Sequence, residues 1–181
     1  MGMNSKLEKE KKRTLALVQG NTYTLALDEM KDEDVYASTV QDDYIISLAC
    51  ENAEGMYMYN NLRKLHWMIP EPSENQHVEI VVQDKDDKRF LPGLEVFCKL
   101  LDEDKKVVAN LHIPFIWHPF LFHYGMNTSI PKEGKYRAEV TIQKPSFHRH
   151  DEEVGKRYEK DVTVTLGPVH LKPGRKEHGA E

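Results

Sequence analysis

At 181 residues and 39% apolar content, the chain is sized for a single domain with one core. Its 25 Lys and Arg against 30 Asp and Glu give a formal net charge of −5, with no basic excess to neutralise a phosphate backbone, so no nucleic acid partner is expected. No run of about 18 apolar residues could cross a bilayer, which reads as a protein not itself membrane-embedded, and Met1 to Arg13 lack the apolar stretch of a signal peptide.

Residues 1–13 are almost all charge from Lys6 onward and predict a flexible, solvated N-terminal arm. From Thr14 the apolar runs are short and often alternate, predicting strands over 14–18, 23–27, 44–50, 77–82, 94–101, 107–113, 136–142 and 162–166. Turn formers such as Asp84 to Asp87, Pro92-Gly93 and Pro131 to Gly134 separate them, and only 60–68 offers a helical turn or two. The pattern predicts an all-β, immunoglobulin-like antiparallel β-sandwich over 14–170, followed by a disordered tail over 171–181. Gly134-Lys135-Tyr136 ahead of an alternating run fits the entry to a late sandwich strand, where the phenol closes a corner. Cys50 and Cys98 lie in apolar runs without a Cys-x-x-Cys partner and read as buried thiols, with a disulfide between them open to an exported protein.

Nine histidines are many for this length, and seven fall between positions 66 and 150. Histidine is the commonest metal ligand among side chains, although any single one is more often just hydrogen-bonded and half-buried. His77-Val78-Glu79 is sharper, because residues two apart on a strand project from one face and would set an imidazole beside a carboxylate. His123-Tyr124-Gly125 and His148-Arg149-His150 add imidazoles next to loop-forming residues. Such a set suits Cu(II), Fe(II), Mn(II) or Zn(II).

At these residues the chain resembles the periplasmic iron-transport proteins that accompany an inner-membrane iron permease, a family of immunoglobulin-like homodimers with a copper- or iron-binding site. The resemblance covers about Gln76 to Val164 and rests on His77-Val78-Glu79, His123-Tyr124-Gly125 and the segment Pro145 to Lys156, in the family's order. It implies His77, Glu79, His123 and His150 as metal ligands, Cu2+ or Fe2+ as the ion, a homodimer, a membrane iron permease as partner and a periplasmic or extracytoplasmic location. The family's Met-Pro-Met stretch corresponds here to Ile113-Pro114-Phe115, so Phe115 stands where a thioether is expected. Met126, His118 and His148 are additional candidate ligands; Met56 and Met58 could replace the lost sulfur if they reach in, and His112 could substitute or funnel the ion. The aromatic stretch Phe115 to Phe122 is either an exposed dimer surface or buried packing.

No His-Glu-x-x-His helix or Gly-x-Ser-x-Gly elbow is present, so the expected role is metal capture rather than enzymatic turnover. The alternative is a non-metal interaction or adhesion module, since this fold class hosts many binding roles.

Overall fold

In the computed structural model, which describes residues 2–33, 35–119 and 121–176, a long helix precedes a β-sandwich. The elements are α1 (Gly2–Glu33), β1 (Val35–Gln41), β2 (Tyr44–Glu51), β3 (Met56–Tyr59), β4 (Leu65–Met68), β5 (Gln76–Asp84), β6 (Val96–Leu101), β7 (Val107–Ile113), β8 (Phe115–Trp117), β9 (Phe122–Thr128), β10 (Gly134–Ile142) and β11 (Val162–Leu171). One sheet runs β1-β2-β5-β9-β8, the other β11-β10-β6-β7, and β3-β4 form a separate hairpin. Every ladder is antiparallel.

The alternation read in the sequence is what closes the sandwich. Ile46 and Leu48 of β2 and Val78 and Ile80 of β5 meet Leu100, Ala138, Val140 and Leu166 of the other sheet in one core. Cys50 and Cys98 enter that core without forming a disulfide, and burial pushes the Cys98 thiol up to about 12, which keeps it protonated and inert. The expected tyrosine corner is present: Tyr136 Oη donates to Lys132 O at 2.7 Å.

The N-terminal third departs from expectation. The segment 14–27 does not form the expected strands; residues 2–33 form α1, whose residues 6–15 are exposed to solvent. Thr14, Thr22 and Thr24, which made the segment look β-like, bond back to the carbonyls of Glu10, Val18 and Gly20 and so are accommodated within the helix. The helix docks along a narrow stripe, Gly20, Tyr23, Ala26 and Leu27, too thin to stand out as a helical period. A Cβ at Gly20 would lie 1.8 Å from Asp87 O, so only glycine permits this approach. Leu27 is 2% exposed and joins Val81, Phe90 and Leu121 in a second apolar cluster. Its burial is worth about 1.5–3 kcal/mol.

The segment 60–68 is likewise a hairpin loop and strand rather than helical turns, with Asn60 Oδ1 accepting from the amides of Leu62 and Lys64. In the expected C-terminal tail, Leu171 ends β11 and 172–176 is a strap: Ala53 N donates to Gly174 O at 3.0 Å and Lys176 N to Ala53 O at 2.8 Å. Residues 177–181 lie outside the described residues. Among the described residues, no helix is long and apolar enough to cross a membrane.

Candidate metal centre

Strand β5 is buried on both sides, and its alternation divides the labour. Val78, Ile80 and Val82 enter the main core; His77, Glu79 and Val81 face the other way, where Val81 packs beneath α1. On β9, His123, Gly125 and Asn127 occupy the same outer face, with Glu79 directly opposite Gly125 and His77 opposite Asn127. Sheet pairing therefore brings two motifs that lie far apart in sequence to one point.

His77, Glu79 and His123 each offer a ligand atom within 4.8 Å of the others, and all three side chains are buried. His77 Nε2 lies 3.5 Å and His123 Nε2 3.2 Å from Glu79 Oε1. The tautomer of His77 follows from its neighbours. Asn127 Nδ2 donates to Glu54 O at 2.8 Å, which turns its Oδ1 toward His77 Nδ1 at 2.9 Å; the ring must donate there, leaving the Nε2 lone pair bare.

His77 Nε2, Glu79 Oε2 and His123 Nδ1 have no hydrogen-bond partner although buried, an arrangement that costs stability unless a cation satisfies it. Space for one is kept by Gly125, where a Cβ would sit 2.9 Å from His77 Nε2 and 3.2 Å from His123 Cδ2. The backbone there is ordinary strand, so the glycine is required by the room in front of the imidazoles rather than by backbone conformation.

Burial drives the Glu79 carboxyl upward, but the hydrogen bond from His123 and the charges of His123, His77 and His118 outweigh it and hold the group below its ordinary value. Beside this trio, Glu51 and Glu54 form a second group with His77 and Glu79, their ligand atoms again within 4.8 Å of one another. Lys176 already puts a cation there, its Nζ 2.5 Å from Glu51 Oε2 and 2.9 Å from Glu54 Oε2. Burial pushes the Glu51 carboxyl up to about 8 against the pull of Lys176, with Glu54 and Glu79 adding to the rise.

The remaining sequence candidates fall elsewhere. His150 and His148 are exposed on the loop between β10 and β11, and His150 is not in the His77 group. That loop is anchored at the far end of β5: Arg157 Nη1 lies 3.0 Å from Asp84 Oδ2, and Tyr158 Oη donates to the same carboxylate. Asp84 lies seven steps along the strand from His77, about 23 Å at strand rise. Met126 packs against the main core, on the opposite face from the ligands. Phe115 faces Tyr124 and Phe122, while Ile116, one residue on, contacts the space at Gly125. His118 does approach the centre, its ring centroid 6.1 Å from that of His123; burial and the His123 charge lower its pKa. His112 is taken up by Glu95 at 2.7 Å and stacks on Phe97.

Of the aromatic stretch, Phe115 and Trp117 lie exposed on edge strand β8 and Leu121 is buried; Phe120 lies outside the described residues. Glu51, Glu54, Asn127 and Lys176 escaped the sequence reading. Asn127 had a signal, being the next same-face residue after His123 and Gly125; the others depend on strand register and on the C-terminal strap.

Among solved structures, FetP of uropathogenic Escherichia coli strain F11 is 18% identical with a TM-score of 0.59, covering 78% of this chain and 95% of its own. A copper-bound variant of Campylobacter jejuni P19 is 15% identical with a TM-score of 0.62, covering 79% and 98%. A second copper-bound P19 variant is 17% identical with a TM-score of 0.60, covering 77% and 95%. These likenesses show the fold. No curated protein matches the sequence. The family model described as Fe2+ transport protein matches residues 44–167, more than half of the chain and every residue of the His77, Glu79 and His123 centre, and the chain belongs to that family.

Proposed function

We propose that the chain captures a divalent transition-metal ion, Cu2+ or Fe2+, on His77, Glu79 and His123, and serves iron uptake by presenting the ion to a membrane permease outside the cytoplasm. The observation that carries this reading is the bare Nε2 of His77, set by Asn127 in the room that Gly125 leaves beside the Glu79 carboxylate and the His123 imidazole. Nitrogen and carboxylate donors suit borderline ions, and Met126 and Phe115 are turned away from them. Membership of the Fe2+ transport family and the copper-bound state of the P19 variants support the ion class. His150 would join the set only from a second copy, which is where the proposed homodimer enters.

The test is metal retention: incubate the protein with one equivalent of Cu(II) or, anaerobically, Fe(II), desalt, and compare the parent with His123→Ala. The parent is expected to keep its ion and the variant to lose it. Equal retention would remove the assignment and leave a sandwich whose histidines are incidental.

A further inference from the structure

Immediately beyond Glu54 and Gly55 the chain leaves the sandwich as the β3-β4 hairpin, whose register places Met56 opposite Met68 and Met58 opposite His66. Residues directly opposite in an antiparallel pair, and residues two apart along each strand, share a face. One face of this ribbon therefore carries three thioethers and an imidazole, and the other carries Tyr57, Tyr59, Leu65 and Trp67. Met58 is 48% and Met68 44% exposed, so these sulfurs are not filling a core.

We propose that Met56, Met58, Met68 and His66 form a second metal site, selective for a soft monovalent ion of the Cu(I) class, distinct from the His77, Glu79 and His123 centre. Two observations converge. The donor set is the one that soft ions select: thioethers bind Cu(I) well and Cu(II), Fe(II) or Zn(II) poorly, while the imidazole completes a coordination sphere of low number. The framework is also held in place. Asn60 pins the hairpin loop by accepting from Leu62 and Lys64, Asn60 N donates to Lys64 O at 3.0 Å, and the Trp67 ring lies against Gly55, within 2.5 Å of where a Cβ would stand.

Directly opposed pairs have Cβ atoms about 4.5–5.5 Å apart, within the span that two flexible thioether arms close around one ion. The thioethers are neutral and soft, so this site differs from the buried one in the class of ion it selects.

The probe is Ag(I), with anaerobic Cu(I) as a second ion. The full-length protein is titrated alongside the triple variant Met56→Leu, Met58→Leu, Met68→Leu, which preserves apolar volume on the hairpin. The expected result is the loss of one equivalent of tightly held Ag(I) and Cu(I) from the triple variant, with Cu(II) retention at His77, Glu79 and His123 unchanged. In the parent, Ag(I) should shift the ε-methyl resonances of Met56, Met58 and Met68 and leave that of core-packed Met126 in place. Equal Ag(I) and Cu(I) stoichiometry in the two proteins, with Cu(II) retention confirming the fold, would overturn the proposal. So would a change of oligomeric state in the triple variant without loss of Ag(I), which would make this face a contact between copies.

Discussion

Gly125→Ala is the substitution that separates folding from metal capture. The added Cβ would lie 2.9 Å from His77 Nε2, 3.0 Å from Ile116 Cδ1 and 3.2 Å from His123 Cδ2. The first of these is closer than a methyl and a ring nitrogen tolerate, so His77 must retreat by a few tenths of an ångström. It retreats from the point where a metal would stand at about 2.0–2.1 Å from that same nitrogen. Because Gly125 is ordinary strand, alanine brings no backbone strain and recovers about 0.4–1 kcal/mol through the unfolded chain, against about 1–3 kcal/mol for overpacking. The net destabilisation is then at most about 2.6 kcal/mol.

Metal affinity should suffer more, since loss of an outer-sphere partner alone typically costs about 10–100-fold and here a ligating nitrogen itself is displaced. Thermal unfolding of the apo variant and a competition titration with a Cu(II) chelator read the two effects separately. A Gly125→Ala protein that holds Cu(II) as tightly as the parent would refute the placement of the ion between His77 and His123.

Asn127→Ala should free His77 to take either tautomer and weaken Cu(II) by about 10–100-fold, while Asn127→Asp, which keeps an acceptor for Nδ1–H, should restore most of it; competition titrations of both check this. With pH, Glu79 stays ionised because its folded pKa is lowered. Its contribution to apo stability is therefore present above the ordinary carboxylate pKa and lost only as pH falls through the lower folded value, and acid melts of Glu79→Gln should lack that limb. Ion release should instead follow competition of protons with the ion for the imidazoles, and Cu(II) retention that does not fall as the solution is acidified would contradict imidazole ligation. Lys176→Ala should leave the Glu54 carboxylate uncompensated, Glu51 being largely protonated near pH 7, at a cost of about 1 kcal/mol discounted because the ammonium is half exposed, as measured by urea unfolding near pH 7.

The sandwich was legible because its inner faces obey a two-residue period, and Val78-x-Ile80-x-Val82 and Ala138-x-Val140-x-Ile142 repeat that signal wherever a strand covers the core. The helix was not, because a stripe of Gly20, Tyr23, Ala26 and Leu27 on an otherwise exposed rod gives the hydrophobic pattern almost nothing to show. At the centre, His77 and Glu79 were legible together through local alternation, and His123 through its motif. His150 was carried over by motif alone, and motif order is blind to which end of β5 a loop is tied to; Asp84, Arg157 and Tyr158 tie it to the end away from His77. Glu51 required the register of β2 against β5, a pairing that no local pattern encodes.

That β5 is covered on both faces also explains why the centre is suited to holding an ion. An exposed His-x-Glu pair would be satisfied by water and would have little to gain from a metal. Here Ile116 and the 51–55 segment crowd that face, and His77 Nε2, Glu79 Oε2 and His123 Nδ1 are buried without a hydrogen-bond partner. Each such atom costs folding free energy of about 1–3 kcal/mol that a bound cation returns. Ligand affinity and fold stability are then linked by mass action, because an ion that binds only the native arrangement stabilises it in proportion to the logarithm of its concentration. Burial leaves these donor atoms without partners, and the glycine and asparagine keep His77 Nε2 clear, the arrangement that a bound cation would satisfy.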